Sequence, residues 1–486
     1  MRTSSMKRIF STAVLPMGVG AALRLLFVLR FPAATGDTLI YEQLAENWLR
    51  HGVYGLIVAG KVTPVDMRLP GYSGYLAVVY WVSGHTAAAA RIWVMLGQAA
   101  VDLGTAALAA RMVGFLLPES RERNLFQTTA FWLACTCPFV ANYAAVPLTE
   151  VFATFFTAAT LCCFVLHLRR AEAPDLRTGA NPVPLRAGGE GFVILGGLCA
   201  GIGTLFRPET PLLLLAAGPA LAFCYRRAGL TRRLILSLVA AGISCAAPLL
   251  PWTARNAVTL HEFQPLAPRY AELPGEVATR GFIAWEKTWL WRLRDVYLVS
   301  WKMNSEAIDI SDIPASAFDT DDERERVTTL LDDYNDTTEL TAEQDEQFAK
   351  LARERTARHP FRTYLAVPLA RAATMWFAPR LELLPYSGKL LPVGERISDD
   401  PTDFAVTLGF SILNILYLAL AAWGAVRLWR MDRAAQPGVL LLAGYVLLRT
   451  AFFTTVETPE PRYMLECFPA LLALAAYAFS RKAQAP

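Results

Sequence analysis

Acids and arginines recur at turns between apolar segments of this chain, and side chains of these two kinds can move protons and hold anions. Asp37 stands a few residues beyond the first apolar segment, and Arg68 follows about thirty residues later in Arg68-Leu69-Pro70-Gly71-Tyr72. Glu150 ends the turn Pro147-Leu148-Thr149-Glu150, Arg207 and Glu209 flank Pro208, and Arg255 lies in PWTARN. Glu457, Glu460, Arg462 and Tyr463 form a last group. A positioned carboxylate can take a proton from a hydroxyl. Arginine offers planar, forked donors suited to phosphate oxygens. Charges at the edge of a membrane are costly to bury, so a recurring set points to pairing or to a site. An arginine cluster beside the outer leaflet suggests the phosphate of a lipid head group.

Apolar helices must hold those turns. The chain has 486 residues, 54% hydrophobic and 18% charged, whereas a soluble domain is about a quarter charged. Windows of roughly 17–25 apolar residues recur, the length that crosses a bilayer core. The expected fold class is an all-α integral membrane protein. A net charge of +4, small and scattered, excludes nucleic acid as a partner. The eight cysteines, Cys135 and Cys137 among them, sit almost entirely in apolar segments, so no disulfide framework or zinc spacing is expected. The five histidines show no metal-ligand spacing.

About ten crossings are expected, near 10–31, 89–117, 125–143, 151–168, 192–206, 211–224, 234–252, 404–428, 438–455 and 464–479. Arg2, Lys7 and Arg8 precede a run that reads as a first span rather than a signal peptide. With this assignment Arg121 and Arg123, Arg169 to Arg186, Arg226 to Arg233, Arg427 to Arg433, and Arg481 with Lys482 all fall on one side. Lysine and arginine collect in cytoplasmic loops, so both termini are expected inside. Three regions follow: an N-terminal transmembrane core, 1–252, with a first outer loop, 32–88; an outer-face insert, 253–403; and C-terminal transmembrane helices, 404–486. Tyr72 to Val82 and the Trp-rich piece Trp285 to Trp301 are expected as helices lying in the interface. Asp321 to Arg358 reads as acidic and helix-like, Phe361 to Phe377 as amphipathic, and no strand is convincing. Inside spans, Arg24 is expected to snorkel or to pair within the bundle, Arg449 likewise, and Asp102 to pair or to face a cavity.

In this order, GDTLIYEQLAENWLRHGVYG, RLPGYSGYLAVVY, NYAAVPLTEVFATFF, GLCAGIGTLFRPETPLLLL, PWTARN and EPRYMLECFPALLAL resemble the GT-C class of membrane glycosyltransferases. The resemblance is to the branch of the protein O-mannosyltransferases and the lipid A aminoarabinose transferase. It covers Arg8 to about Gln264 and the last eighty or so residues, and leaves out 272–391. It implies a GT-C-like bundle of about ten transmembrane helices with a largely helical outer-face insert. It implies a polyprenyl-phosphate sugar donor, a lipid, glycan or protein acceptor, and transfer at the outer face of the cytoplasmic membrane by single displacement with inversion. Asp37 would be the catalytic base and Glu150 a second acid that orients the acceptor or, in some members, binds a metal. Arg68, Arg207, Arg255 and Arg462 would face the donor phosphate, with Tyr463 as a further donor. No cofactor is demanded, and a divalent cation is left open. The absence of a strand followed by a glycine loop disfavours a nucleotide-sugar donor. The alternative is a transporter or flippase of lipid-linked sugars, which would place ionisable groups at the midplane of two related halves.

Overall fold

A computed structural model of the protein describes residues 2–118, 121–172, 190–227, 230–270 and 277–479. The expected basic positions Arg177, Arg186, Arg481 and Lys482 lie outside them. Among the described residues seven helices are long and apolar enough to cross a membrane: Ala13–Arg30, Ala87–Leu116, Glu150–Ala171, Thr231–Thr259, Pro401–Met431, Arg433–Thr454 and Pro461–Phe479. The shorter apolar helices Glu190–Thr204 and Leu212–Arg226 accompany them, as does Arg121–Thr136. Pro138, which has no N–H to give, starts a new helix after Cys137 and breaks the third expected span there.

The chain divides into two compact units, the first 1–267, 379–448 and 465–486, the second 268–378 and 449–464. In the first, the long helices expose Leu15, Leu29, Ile235, Leu236, Ile412 and Ile415 and bury Arg24, Gln98, Asp102 and Asn414. Apolar outside and polar inside is the arrangement lipid selects. Arg24 meets Asp102 at 2.6 Å, both 1% exposed, and donates to the carbonyls of Gly20 and Cys135 at 2.9 and 2.7 Å. The two intramembrane charges are therefore a satisfied pair. Gly197 and Gly201 lie against the helix Thr231–Ala246, where a Cβ would fall 2.5 Å from the Ala241 oxygen and 2.2 Å from that of Cys245. Only glycine lets these two backbones approach so closely.

The first loop holds helices Gly36–His51 and Pro70–Ser83, and between them a correction to the sequence reading. Gly55–Val58 and Lys61–Pro64 pair as an antiparallel hairpin. Its two-residue turn, Ala59-Gly60, has positive φ at both positions, as tight hairpins need. The strands are too short to stand out from an apolar background.

The second unit contains helices Arg280–Glu286, Asp321–Asn335, Ala342–Arg358 and Val367–Phe377. Here too the expectation is corrected. Trp285 to Trp301 is not one interface helix; it is broken after Glu286 and again before Leu293. Trp285 and Trp289 are buried with Phe282, Val327, Leu331 and Phe348 in the core of this unit. Each ring buries a large apolar area there. Arg355, fully buried, pairs with Glu323 at 2.6 Å and Asp319 at 3.2 Å. Arg449 donates to the Tyr463 carbonyl at 2.6 Å and lies over the Phe453 ring.

Candidate active site

Asp37 sits in the first turn of Gly36–His51, where the N-terminal peptide dipoles favour a carboxylate. The Thr35 N–H is bonded by the Thr38 hydroxyl oxygen at 3.1 Å, and that hydroxyl donates to the Pro147 carbonyl at 3.1 Å. Ala33 N–H reaches the Ala145 carbonyl at 3.1 Å. The start of the loop is thus laced to the turn that ends at Glu150. Glu42 in the same helix accepts both forks of Arg91, at 2.7 and 2.8 Å, which fixes its rotation against Ala87–Leu116.

Arg68 precedes a helix whose first residue is Pro70, suited to that position. Gly71 N–H donates to the Leu205 carbonyl at 2.9 Å. A Cβ on Gly71 would lie 2.6 Å from that oxygen, so this crossing requires glycine. It joins the Arg68 turn to the Arg207 turn. Arg255 donates to the carbonyls of Tyr54 and Val65 at 2.6 and 2.9 Å and to Asn256 Oδ1 at 2.9 Å. Its guanidinium lies over the rings of Tyr54 and Trp252. It staples the hairpin region to the helix Leu250–Thr259.

Two ion pairs result. Arg68 Nη2 donates to Asp37 Oδ1 at 2.8 Å, with side chains 28% and 30% exposed. Arg207 donates to Glu150 at 2.6 Å and also meets Glu209 and Glu466, each at 3.5 Å. Glu150 and Glu466 are almost wholly buried. Tyr41, one turn after Asp37, is buried and packs edge-on against Tyr72 at 5.1 Å. Its phenol is pushed up to about 12, first by burial, while the charges of Arg68, Asp37, Arg207 and Glu150 all act on it. Arg68 is pulled down by burial, but Asp37, then Tyr41, outweigh this and leave its guanidinium raised. These four charges from four separate turns therefore share one neighbourhood.

Arg462 and Tyr463 belong to the second unit. There Arg462 pairs with Glu460 at 2.6 Å and the Tyr463 hydroxyl donates to the same carboxylate at 3.0 Å. Glu457 meets Lys287 at 3.5 Å. Tyr41 and Glu466 went unnoticed in the sequence. Tyr41 falls one turn after Asp37, a spacing that puts both on one helix face and signals its place. Glu466, between apolar residues of a span, carried the signal of any intramembrane acid. Among the described residues no group of three or more His, Cys, Asp or Glu side chains is placed to hold a metal ion. Asp37 and Glu150 each face a guanidinium.

This bundle has the GT-C fold of membrane glycosyltransferases, in a multi-pass membrane protein. It is similar to the oligosaccharyltransferase AglB of Archaeoglobus fulgidus in complex with an inhibitory peptide and a dolichol-phosphate: TM-score 0.53, 11% identity, 97% of this chain and 50% of that one. The apo form of the Archaeoglobus enzyme gives TM-score 0.52 at 13% identity, with 96% and 50% covered. ArnT of Cupriavidus metallidurans bound to undecaprenyl phosphate gives TM-score 0.38 at 14% identity, with 95% and 77% covered. This chain thus spans about half the length of the archaeal enzyme. No protein-family model matches the sequence, and no curated protein does.

Proposed function

We propose that the protein is a glycosyltransferase that moves a sugar from a polyprenyl-phosphate donor to an acceptor hydroxyl at the outer face of the cytoplasmic membrane. Both termini would lie in the cytoplasm. The observation that carries this reading is a partly exposed carboxylate, Asp37, 2.8 Å from Arg68, on a loop hydrogen-bonded to the turns that bear the Arg207–Glu150 pair. In the proposed step the acceptor oxygen bonds to the anomeric carbon while the bond from that carbon to the phosphate oxygen breaks. The acceptor proton goes to Asp37, and polyprenyl phosphate leaves with the electron pair, inverting the centre. Phosphate needs no proton to leave, only cations held ready in a site that excludes water, and one such donor contributes about 3–4 kcal/mol. Arg68 supplies the more accessible of the two guanidiniums and also holds Asp37 in place. Arg207, 12% exposed, supports Glu150 beneath. Arg255, committed to carbonyls, holds the loop rather than the phosphate.

The test uses the full chain in vesicles with a labelled sugar on polyprenyl phosphate, and the same sugar on a nucleotide. Label covalently joined to an acceptor from the lipid donor alone is the expected result. Label that crosses the bilayer without forming a new glycosidic bond would favour a flippase and overturn the reading.

A further inference from the structure

One helix of the second unit is turned inside out. From Phe361 the chain winds through a wide turn, Arg362–Ala366, into Val367–Phe377. Phe361, Leu365, Leu369, Ala373 and Phe377 recur at four-residue steps and are all exposed, with Tyr364 beside them. Phe361 is 70% exposed and Tyr364 73%. Such spacing makes one stripe, about 24 Å long at 1.5 Å per residue. The polar groups lie on the other side. Arg371, buried, donates to the carbonyls of Leu290, Lys287 and Thr454 at 2.8, 3.1 and 3.2 Å. The Thr374 hydroxyl donates to the Trp291 carbonyl at 2.7 Å.

Water selects the opposite arrangement, and a neighbour in the same unit has it. Helix Ala342–Arg358 exposes Glu343, Glu346, Lys350 and Arg353 and buries Phe348 and Leu351. One helix is therefore dressed for water and the other is not. Apolar residues exposed singly are ordinary, but a contiguous stripe marks a contact surface.

What covers the stripe follows from what lies behind it. The second unit includes 449–454, the end of the membrane-crossing helix Arg433–Thr454. Met375 packs with Phe453 and Met464 in one core, and the Trp376 indole N–H donates to the Thr450 hydroxyl at 3.1 Å. Phe452, on that helix end, is itself exposed. The stripe thus ends beside a helix that is long and apolar enough to cross a membrane.

We propose that the exposed face of 361–377 is a lipid-contact surface, lying in the membrane interface with its apolar side chains among the acyl chains and seating the second unit on the bilayer. An amphipathic helix in that position gains with every apolar side chain it buries. This moves the interface helix of the insert from Trp285–Trp301 to Phe361–Phe377.

The test places a nitroxide on the full chain in phosphatidylcholine vesicles, at Leu369→Cys or, on the water-facing helix, at Glu346→Cys. Both positions are exposed, so both variants should fold. The wild-type chain, with its eight free cysteines, sets the background. Relaxation by oxygen, which concentrates in lipid, and by a water-soluble nickel chelate is read at each site. An oxygen-to-nickel ratio at 369 at least roughly threefold that at 346 is expected for an interface-buried face. Nickel access at 369 equal to that at 346 would mean water and overturn the proposal. Low access to both relaxers would mean a protein cover, such as a second copy, and overturn it as well.

Discussion

Replacing Asp37 by Asn removes a base and keeps nearly everything else. The amide oxygen can still accept from Arg68, and the side chain keeps its size. The pair is about 30% exposed on each side, so water and salt screen it, and it contributes about 0–1 kcal/mol to stability. The thermal midpoint should fall by a few degrees at most. A positioned base contributes about 10²–10⁴-fold to a rate, equivalent to about 3–5 kcal/mol of barrier. The expected chemical effect thus exceeds the structural one several-fold, and the two are separable in one preparation. Sugar transfer from a polyprenyl-phosphate donor should lose kcat with KM nearly unchanged, because acceptor and donor still bind. Asp37→Glu should recover part of the rate. A kcat for Asp37→Asn within about threefold of wild type, with transfer still occurring, would refute Asp37 as the base.

Four further outcomes are expected. Arg68→Ala should raise the KM for the lipid donor as well as lower kcat, whereas Arg68→Lys should restore charge but not the forked geometry and recover little; steady-state kinetics separate them. Asp102→Leu alone leaves a buried guanidinium and should cost about 3–5 kcal/mol, while Arg24→Met with Asp102→Leu should be near neutral; unfolding in detergent reads both. Gly71→Ala forces a methyl against the Leu205 carbonyl and should cost about 1–3 kcal/mol, whereas Gly74→Ala, whose Cβ meets only Trp48 at 3.7 Å, should be silent in the same assay. In the second unit, burial, then the Glu457 charge, push the Glu286 carboxyl from 4.5 up to about 8, against a hydrogen bond from Ser300 and the cations Arg371 and Lys287. The folded protein keeps that proton where the unfolded chain has released it, so stability is full below 4.5 and falls as pH rises to about 8. Thermal midpoints of Glu286→Gln should decline less than wild type across that window.

Apolar windows made the bundle legible, because lipid imposes a length and a composition on each crossing. The same reasoning picked out Asp37, Arg68, Glu150 and Arg207, since charges beside apolar helices are conspicuous. It did not separate Arg255, which holds carbonyls, from Arg68, which holds a carboxylate. Both read as an arginine at a turn, and the difference lies in contacts across nearly two hundred residues. The tryptophans of 285–301 were ambiguous for a related reason. An aromatic-rich stretch suits a membrane interface and a core equally, and only the partner, here Phe348, decides. The part of 449–464 in the second unit depends on packing that no local pattern encodes.

Several ties among the turns end on main-chain carbonyls: Ala33 N–H to Ala145 and Gly71 N–H to Leu205, the Thr38 hydroxyl to Pro147, and the Arg255 guanidinium to two carbonyls of the first loop. Peptide groups are the same whatever residue bears them. Evolution can therefore exchange most side chains around this framework without loosening it, provided a few positions such as Gly71 stay small. A shared architecture at 11% identity is the natural outcome of a scaffold whose stitching is written in the backbone.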